Sequence, residues 1–376
     1  MEMISRKVNI PQRHSLFLNR LSWPYDFLQK LKSVNLLGVL FLVAFIKSGL
    51  RGIQPWPDFS YVQSFPKLKE SYSTLSVGWL ALSKLFSIES QLGFFIMACV
   101  LLLIFSSITF FWISKKLDKE ATFWFRVWFF LGFPMGILLG NVGRHDFFSI
   151  FGLLFFFFSQ KNHSRIFAIT FAMLGSPEHV FLALVLSSVL ILLFDKRKFS
   201  TFCTGTLYSG FVLILMHLWA ARSDSTGNRF TEFLANPEYI RLAFFNWIRL
   251  FPLEWFGYFG VYWLILVVYF LLDSNQVRRY LVILAFALPM IGTIFLLDKN
   301  RDFILIALIP FLIISSWLAT QDISIGLIPT KQIINSIKGF FVLLIFLTPN
   351  IEVTFEGSVR PPFAWILKEL VEFGLS

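Results

Sequence analysis

Charge is scarce in this chain. Asp, Glu, Lys and Arg make up only 15% of its 376 residues, against about a quarter in soluble domains, which excludes an ordinary water-dissolved fold. Cysteine is nearly absent: Cys99 and Cys203 stand far apart, in or beside apolar runs. Two such residues give neither a disulfide framework nor a metal spacing, and both read as small buried hydrophobes. No fixed-period repeat, low-complexity linker or soluble domain interrupts the sequence. Acidic residues are outnumbered 22 to 33, for a formal net charge of +11. In a soluble protein that excess would suggest nucleic acid. In a chain this apolar it reads as topology, with basic residues at the cytoplasmic ends of helices, and no nucleic-acid partner is expected.

What is abundant is apolar and aromatic. Hydrophobic residues make up 56% and aromatics 19%, with Phe alone occurring 49 times in runs such as Phe155 to Phe158. Crossing a bilayer takes about 20 largely apolar residues, with a range of roughly 17 to 25. The sequence therefore predicts an all-α, polytopic integral membrane protein with about ten or eleven transmembrane helices. They fall near 33–50, 91–114, 121–140, 146–160, 164–176, 180–195, 200–221, 255–273, 280–297, 303–320 and 337–349. The segment 164–176 is short enough to be re-entrant or half of a helical hairpin. Residues 1–32 form a basic cytoplasmic lead-in, in which 16–31 reads either as a helix lying on the membrane or as an unstructured segment. The first apolar run lacks a small-residue cleavage pattern, so it reads as an uncleaved span. Residues 33–349 form one transmembrane domain and 350–376 an outer tail with a helix over 361–373.

The charges orient the scheme. Lys115-Lys116 and Asp195-Lys196-Arg197-Lys198 cluster tightly at one set of span ends, which the positive-inside rule places in the cytoplasm together with the N-terminus. Two long loops then lie outside, 51–90 and 222–254. The first carries an amphipathic helix over 74–86, with Leu75, Trp79, Leu80, Leu85 and Phe86 as its apolar positions. Both loops have the Trp and Phe content of segments that rest in the headgroup layer. The one glycosylation sequon, Asn162-His163-Ser164, falls inside. This pattern is compatible with a bacterial inner membrane.

Ionisable groups at membrane depth cost about 2.5–3.5 kcal/mol each on insertion scales, so they are functional candidates. Five polar clusters interrupt the apolar pattern, and the topology puts all five outside. They are Pro57-Asp58-Phe59-Ser60-Tyr61, Gly143-Arg144-His145-Asp146, Ser176-Pro177-Glu178-His179, Arg222-Ser223-Asp224 followed by Arg229, and Asp298-Lys299-Asn300-Arg301-Asp302. Plainer readings stand beside the functional one. Asp298 to Asp302 could be a solvated turn, Arg144 and Asp146 an ion pair closing a hairpin, Asp58 a helix cap, and His217 a hydrogen-bonded core residue. Glu178-His179 resists such a reading, because it interrupts a long apolar stretch. Chemically, carboxylates at an outer surface can take a proton from an acceptor hydroxyl. His and Asp together could hold a divalent cation, Mg or Mn, with Asp58, Asp146 and His179 as ligands. Arginines on neighbouring loops suit bidentate clamping of a phosphate.

By this layout the chain resembles the GT-C membrane glycosyltransferases, which use polyprenyl-phosphate sugars as donors. The resemblance rests on the cytoplasmic N-terminus, and on a long first outer loop opening at Asp58 and continuing through Tyr72-Ser73-Thr74 into the amphipathic segment. It rests also on the second acidic site at Arg144-His145-Asp146 and on the short spans that follow. It covers most of residues 33–320. Asp58 stands alone where the family often has two adjacent acids. The resemblance implies transfer of a sugar from a polyprenyl-phosphate donor to an acceptor glycan, lipid or protein on the outer face. It implies Asp58 and Asp146 as catalytic carboxylates, and Tyr61, His145, Glu178 and His179 at the acceptor or metal site. Arg144, Arg229 and Arg301 become candidates for the donor phosphate. Two other classes compete: a secondary transporter, favoured by the Gly175-Ser176-Pro177 break, and a non-catalytic membrane assembly subunit.

Overall fold

The computed structural model describes residues 12–49, 76–222, 237–293, 299–321 and 331–348, with the two-residue segments 352–353 and 359–360. Apart from one short antiparallel ladder pairing Glu352 with Arg360 and Val353 with Val359, the described chain is helical. Over its described residues, each predicted span is largely helical. In order the helices are α1 (Gln12–Lys30), α2 (Ser33–Ser48), α3 (Gly78–Leu85), α4 (Gln91–Ile113), α5 (Lys119–Leu131), α6 (Phe133–Gly140), α7 (Asp146–Phe158) and α8 (Asn162–Met173). They continue as α9 (Pro177–Phe194), α10 (Lys196–Arg222), α11 (Pro237–Phe259), α12 (Trp263–Leu272), α13 (Gln276–Thr293), α14 (Lys299–Ala319) and α15 (Lys331–Leu347). Among the described residues six helical segments are long and apolar enough to cross a membrane, and three further apolar helices are shorter. The protein is thus a multi-pass, all-α membrane protein.

The segments differ in where they sit. The α5–α6 stretch and α14 are central, with 89% and 72% of their most apolar windows buried. By contrast α10 buries only 17% of its window and turns Leu207, Phe211, Ile214 and Leu218 outward, as a lipid-facing helix does. His217 lies exposed on that outward face rather than hydrogen-bonded in the core as expected. The two thiols are free and half-buried rather than fully buried. Aromatic contacts tie the centre together: Trp128 of α5 stacks on Phe311 of α14 at 5.6 Å, and Phe133 and Phe259 meet the same ring at 5.6 and 5.1 Å.

The span expected over 121–140 is two helices. Its backbone turns extended at Gly132 and restarts at Phe133-Pro134, where proline fits the first turn because no intrahelical donor is needed there. The break exposes carbonyls in the bundle interior, and Lys47 meets one of them. Its buried ammonium donates to Leu131 O at 2.7 Å and also to Ile345 O, joining α2, α5 and α15. At 1.5 Å per residue α7 and α8 are about 18–20 Å long, short of the roughly 30 Å hydrocarbon core. They form a short helical hairpin.

Residues Gln12–Lys30 of the N-terminal lead-in are helical rather than unstructured. Helix α1 lies along α15, and Tyr25 donates to Glu120 Oε2 at 2.7 Å while Lys338 pairs with Glu120 Oε1 at 2.7 Å. The helix of the first long loop is α3. Its Trp79 and Leu80 are buried in protein rather than set in a headgroup layer, while Leu85 and Phe86 are exposed. Thr74, Leu75 and the tail helix at 361–373 lie outside the described residues. Within 222–254, Arg222 ends α10 and the rest of the described part belongs to α11, which exposes Leu242, Phe244, Phe245 and Ile248.

Candidate functional site

Because α7 and α8 are antiparallel, the turn before Asp146 and the turn after Met173 fall at the same end of the bundle. Each is shaped by a glycine. Gly143 sits at φ 81°, a left-handed conformation that L side chains rarely adopt, and it turns the chain into Arg144-His145-Asp146. Gly175 allows a close approach: a Cβ there would lie 2.4 Å from His145 O and 2.4 Å from Ser149 Oγ. Ser149 Oγ in turn accepts from Ser176 N at 2.8 Å and donates to Ala172 O at 3.2 Å. The Ser176-Pro177-Glu178-His179 cluster is therefore clamped against the start of α7. Helix α3 closes over the same place. Trp79 Nε1 donates to Arg144 O at 2.7 Å, and Gly78 N donates to Leu174 O at 2.9 Å.

The first turn of α14 arrives at this end and supplies the charge. Arg301 Nε lies 3.3 Å from Asp146 Oδ1, and Arg301 Nη2 lies 3.7 Å from Asp302 Oδ1. His179 Nε2 lies 3.3 Å from Asp302 Oδ1, and His145 Nε2 lies 4.0 Å from Asp146 Oδ1. Three of the five polar clusters thus converge, one from each of three connections distant in sequence. The centre is enclosed: the Asp146 side chain is 1% exposed, and those of Arg301 and Asp302 are each 8% exposed. Arg301 and Asp302 are accordingly not part of a solvated turn. Glu178 is exposed and His179 half-buried, so the Glu178-His179 pair forms the accessible rim of an enclosed ion cluster.

The opposite end of the bundle has a different character. Arg165 donates to Ser159 O at 2.9 Å and to Thr201 Oγ1 at 3.1 Å, and Lys198 pairs with Asp195 at 3.3 Å. Arg278 pairs with the buried Asp273 at 3.0 Å and sits over the rings of Phe194 and Trp317. These are the basic groups that the sequence assigns to the cytoplasmic side. The histidine-bearing cluster and the basic clusters occupy opposite ends of the helices.

Of the sequence candidates, Asp58, Tyr61 and Arg229 lie outside the described residues. Arg144 is half-buried and meets α3 through its backbone carbonyl. Among the described residues no group of three His, Cys, Asp or Glu side chains is arranged to hold a metal ion. What sequence reasoning missed is that Arg301 belongs to Asp146, a pairing that no spacing signals. It missed also Trp79, a visible tryptophan beside a loop whose partner is a backbone oxygen. The comparisons add no assignment: no family model, curated protein or solved structure matches the chain.

Proposed function

We propose that the protein is a membrane glycosyltransferase of the GT-C kind, moving a sugar from a polyprenyl-phosphate donor to an acceptor on the outer face. In this reading the chain crosses a bacterial plasma membrane ten or eleven times with its N-terminus in the cytoplasm. The observation that carries it is the meeting of Asp146, Arg301, Asp302, His145 and His179 at the end of the helices away from the basic clusters. A fixed guanidinium flanked by carboxylates at the mouth of an apolar bundle gives a preorganised field at the lipid boundary, and transfer from a lipid phosphate needs such a field. Asp146, enclosed and paired, holds Arg301 in place. Asp58 serves as the base, taking the proton of an acceptor hydroxyl as its oxygen attacks the anomeric carbon. The C–O bond to the phosphate breaks, and polyprenyl phosphate leaves with the electron pair. Arg144 and Arg229 take the leaving phosphate bidentately. Glu178 and His179 at the rim, with Tyr61, orient the acceptor.

The test is transfer by proteoliposomes supplied with a panel of radiolabelled polyprenyl-phosphate sugars and acceptor lipids. Transfer that disappears in Asp58→Asn, in a variant that keeps wild-type thermal stability, supports the reading. Undiminished transfer in that variant removes Asp58 as base. Label accumulating inside vesicles without transfer would favour a transporter.

A further inference from the structure

A second cationic feature lies at the basic end of the bundle, away from the site above. Helix α1, the elbow into α2, the C-terminal end of α4 and the start of α5 border an open recess of about 410 Å³, within the size range of small-ligand sites. Leu28, Leu36, Phe111, Leu117 and Phe123 line one part of it, and Lys119 and Arg126 are its only charged lining residues.

Arg126 is the unusual member. It sits on an apolar helix, and Nε and Nη2 both donate to Phe110 O, at 3.1 and 2.9 Å. The guanidinium lies 3.8 Å over the Phe110 ring. Capping the last carbonyls of α4 is a sufficient reason for those two bonds, but it does not neutralise the charge. Among the described residues no carboxylate pairs with Arg126 and Nη1 makes no hydrogen bond. The acids nearest in sequence are already committed. Asp118 caps α5 through Ala121 N at 2.9 Å, and Glu120 is held by Tyr25, Trp124 and Lys338. Lys30, Lys32, Lys115 and Lys119 are exposed in the segments that form the recess. A largely apolar recess that carries Lys119 and Arg126 and no acid, at the end of the bundle where the basic clusters lie, complements an anionic lipid.

We infer that this recess is a binding site for an anionic phospholipid of the bilayer, its phosphate on Arg126 Nη1 and Lys119 and an acyl chain along Leu36, Phe111, Leu117 and Phe123. The inference is independent of the proposed transfer reaction. It requires only that this end of the bundle face a leaflet containing such lipids.

The experiment is native mass spectrometry of the purified full-length protein titrated with phosphatidylglycerol, phosphatidylcholine and inorganic phosphate, for wild type, Arg126→Gln and Lys119→Gln. One phosphatidylglycerol should be retained preferentially over phosphatidylcholine, inorganic phosphate should not displace it, and Arg126→Gln should weaken retention about tenfold. Equal retention of phosphatidylcholine, displacement by millimolar phosphate, or full retention in both variants would each overturn the inference. Wild-type protein supplies a check that needs no variant: a phosphatidylglycerol carrying a diazirine in its acyl chain should label peptides containing Leu36, Phe111 or Phe123. Labelling no stronger than with the phosphatidylcholine analogue would also overturn it.

Discussion

Replacing Arg301 by methionine should destabilise the protein more than any other single change at the ion cluster. At 3.3 Å from Asp146, and with an effective dielectric of about 20, the attraction is about 5 kcal/mol before desolvation is counted. The pair is already buried, so removing one partner leaves a carboxylate without the charge it was folded around, at a cost of about 3–5 kcal/mol. Arg301→Met deprives two carboxylates at once, Asp146 and Asp302. Asp146→Asn keeps the shape and leaves Arg301 with Asp302, so it should cost only about 1–3 kcal/mol. The double variant should cost less than the sum, because the two residues share one interaction. Equilibrium unfolding in mixed detergent micelles measures all three. An Arg301→Met variant within about 0.5 kcal/mol of wild type would refute the reasoning. So would an Asp146→Asn variant less stable than Arg301→Met, because either outcome would mean that the guanidinium does not organise this end of the bundle.

Other changes probe the supports of the site. Gly175→Ala pushes a methyl into His145 O and Ser149 Oγ, an overpacking cost of about 1–3 kcal/mol that should lower the melting temperature; a larger residue should be worse. Trp79→Phe keeps most of the ring but loses the bond to Arg144 O, and should cost about 0.5–1.5 kcal/mol, read as faster proteolysis around residues 78–85. At the other end, burial and then the hydrogen bond to Glu120 hold the Tyr25 phenol above its usual pKa. Because the folded-state value is the higher one, this contribution is complete below about pH 10 and is lost as pH rises beyond it. Tyr25→Phe should therefore be less stable than wild type at neutral pH, with the difference shrinking at alkaline pH in a pH series of unfolding measurements.

The helices were readable in the sequence because apolar runs of span length have no soluble alternative; Gln91–Ile113 is the plainest case. Which helices face lipid was not readable, since hydropathy does not report it. The α5–α6 segment and α10 have the same mean hydropathy of 1.5, yet one is the bundle's centre and the other its rim. The polar clusters at 143–146, 176–179 and 298–302 stood out because ionisable groups interrupt apolar sequence. That they form one centre depends on helix–helix packing, and on Gly175 being small enough for two turns to touch. Lys47 illustrates the same gap. Its position inside a span was visible, but its partners are backbone carbonyls, which carry no sequence signature.

The central claim is that the enclosed ion cluster marks the end where a polyprenyl phosphate is handled. Binding of polyprenyl phosphate to the purified protein tests it most directly, with wild type compared with Arg144→Ala and Arg229→Ala. The account predicts saturable binding that at least one of the two changes weakens about tenfold. Binding no greater than that of an unrelated membrane protein of similar size would contradict it.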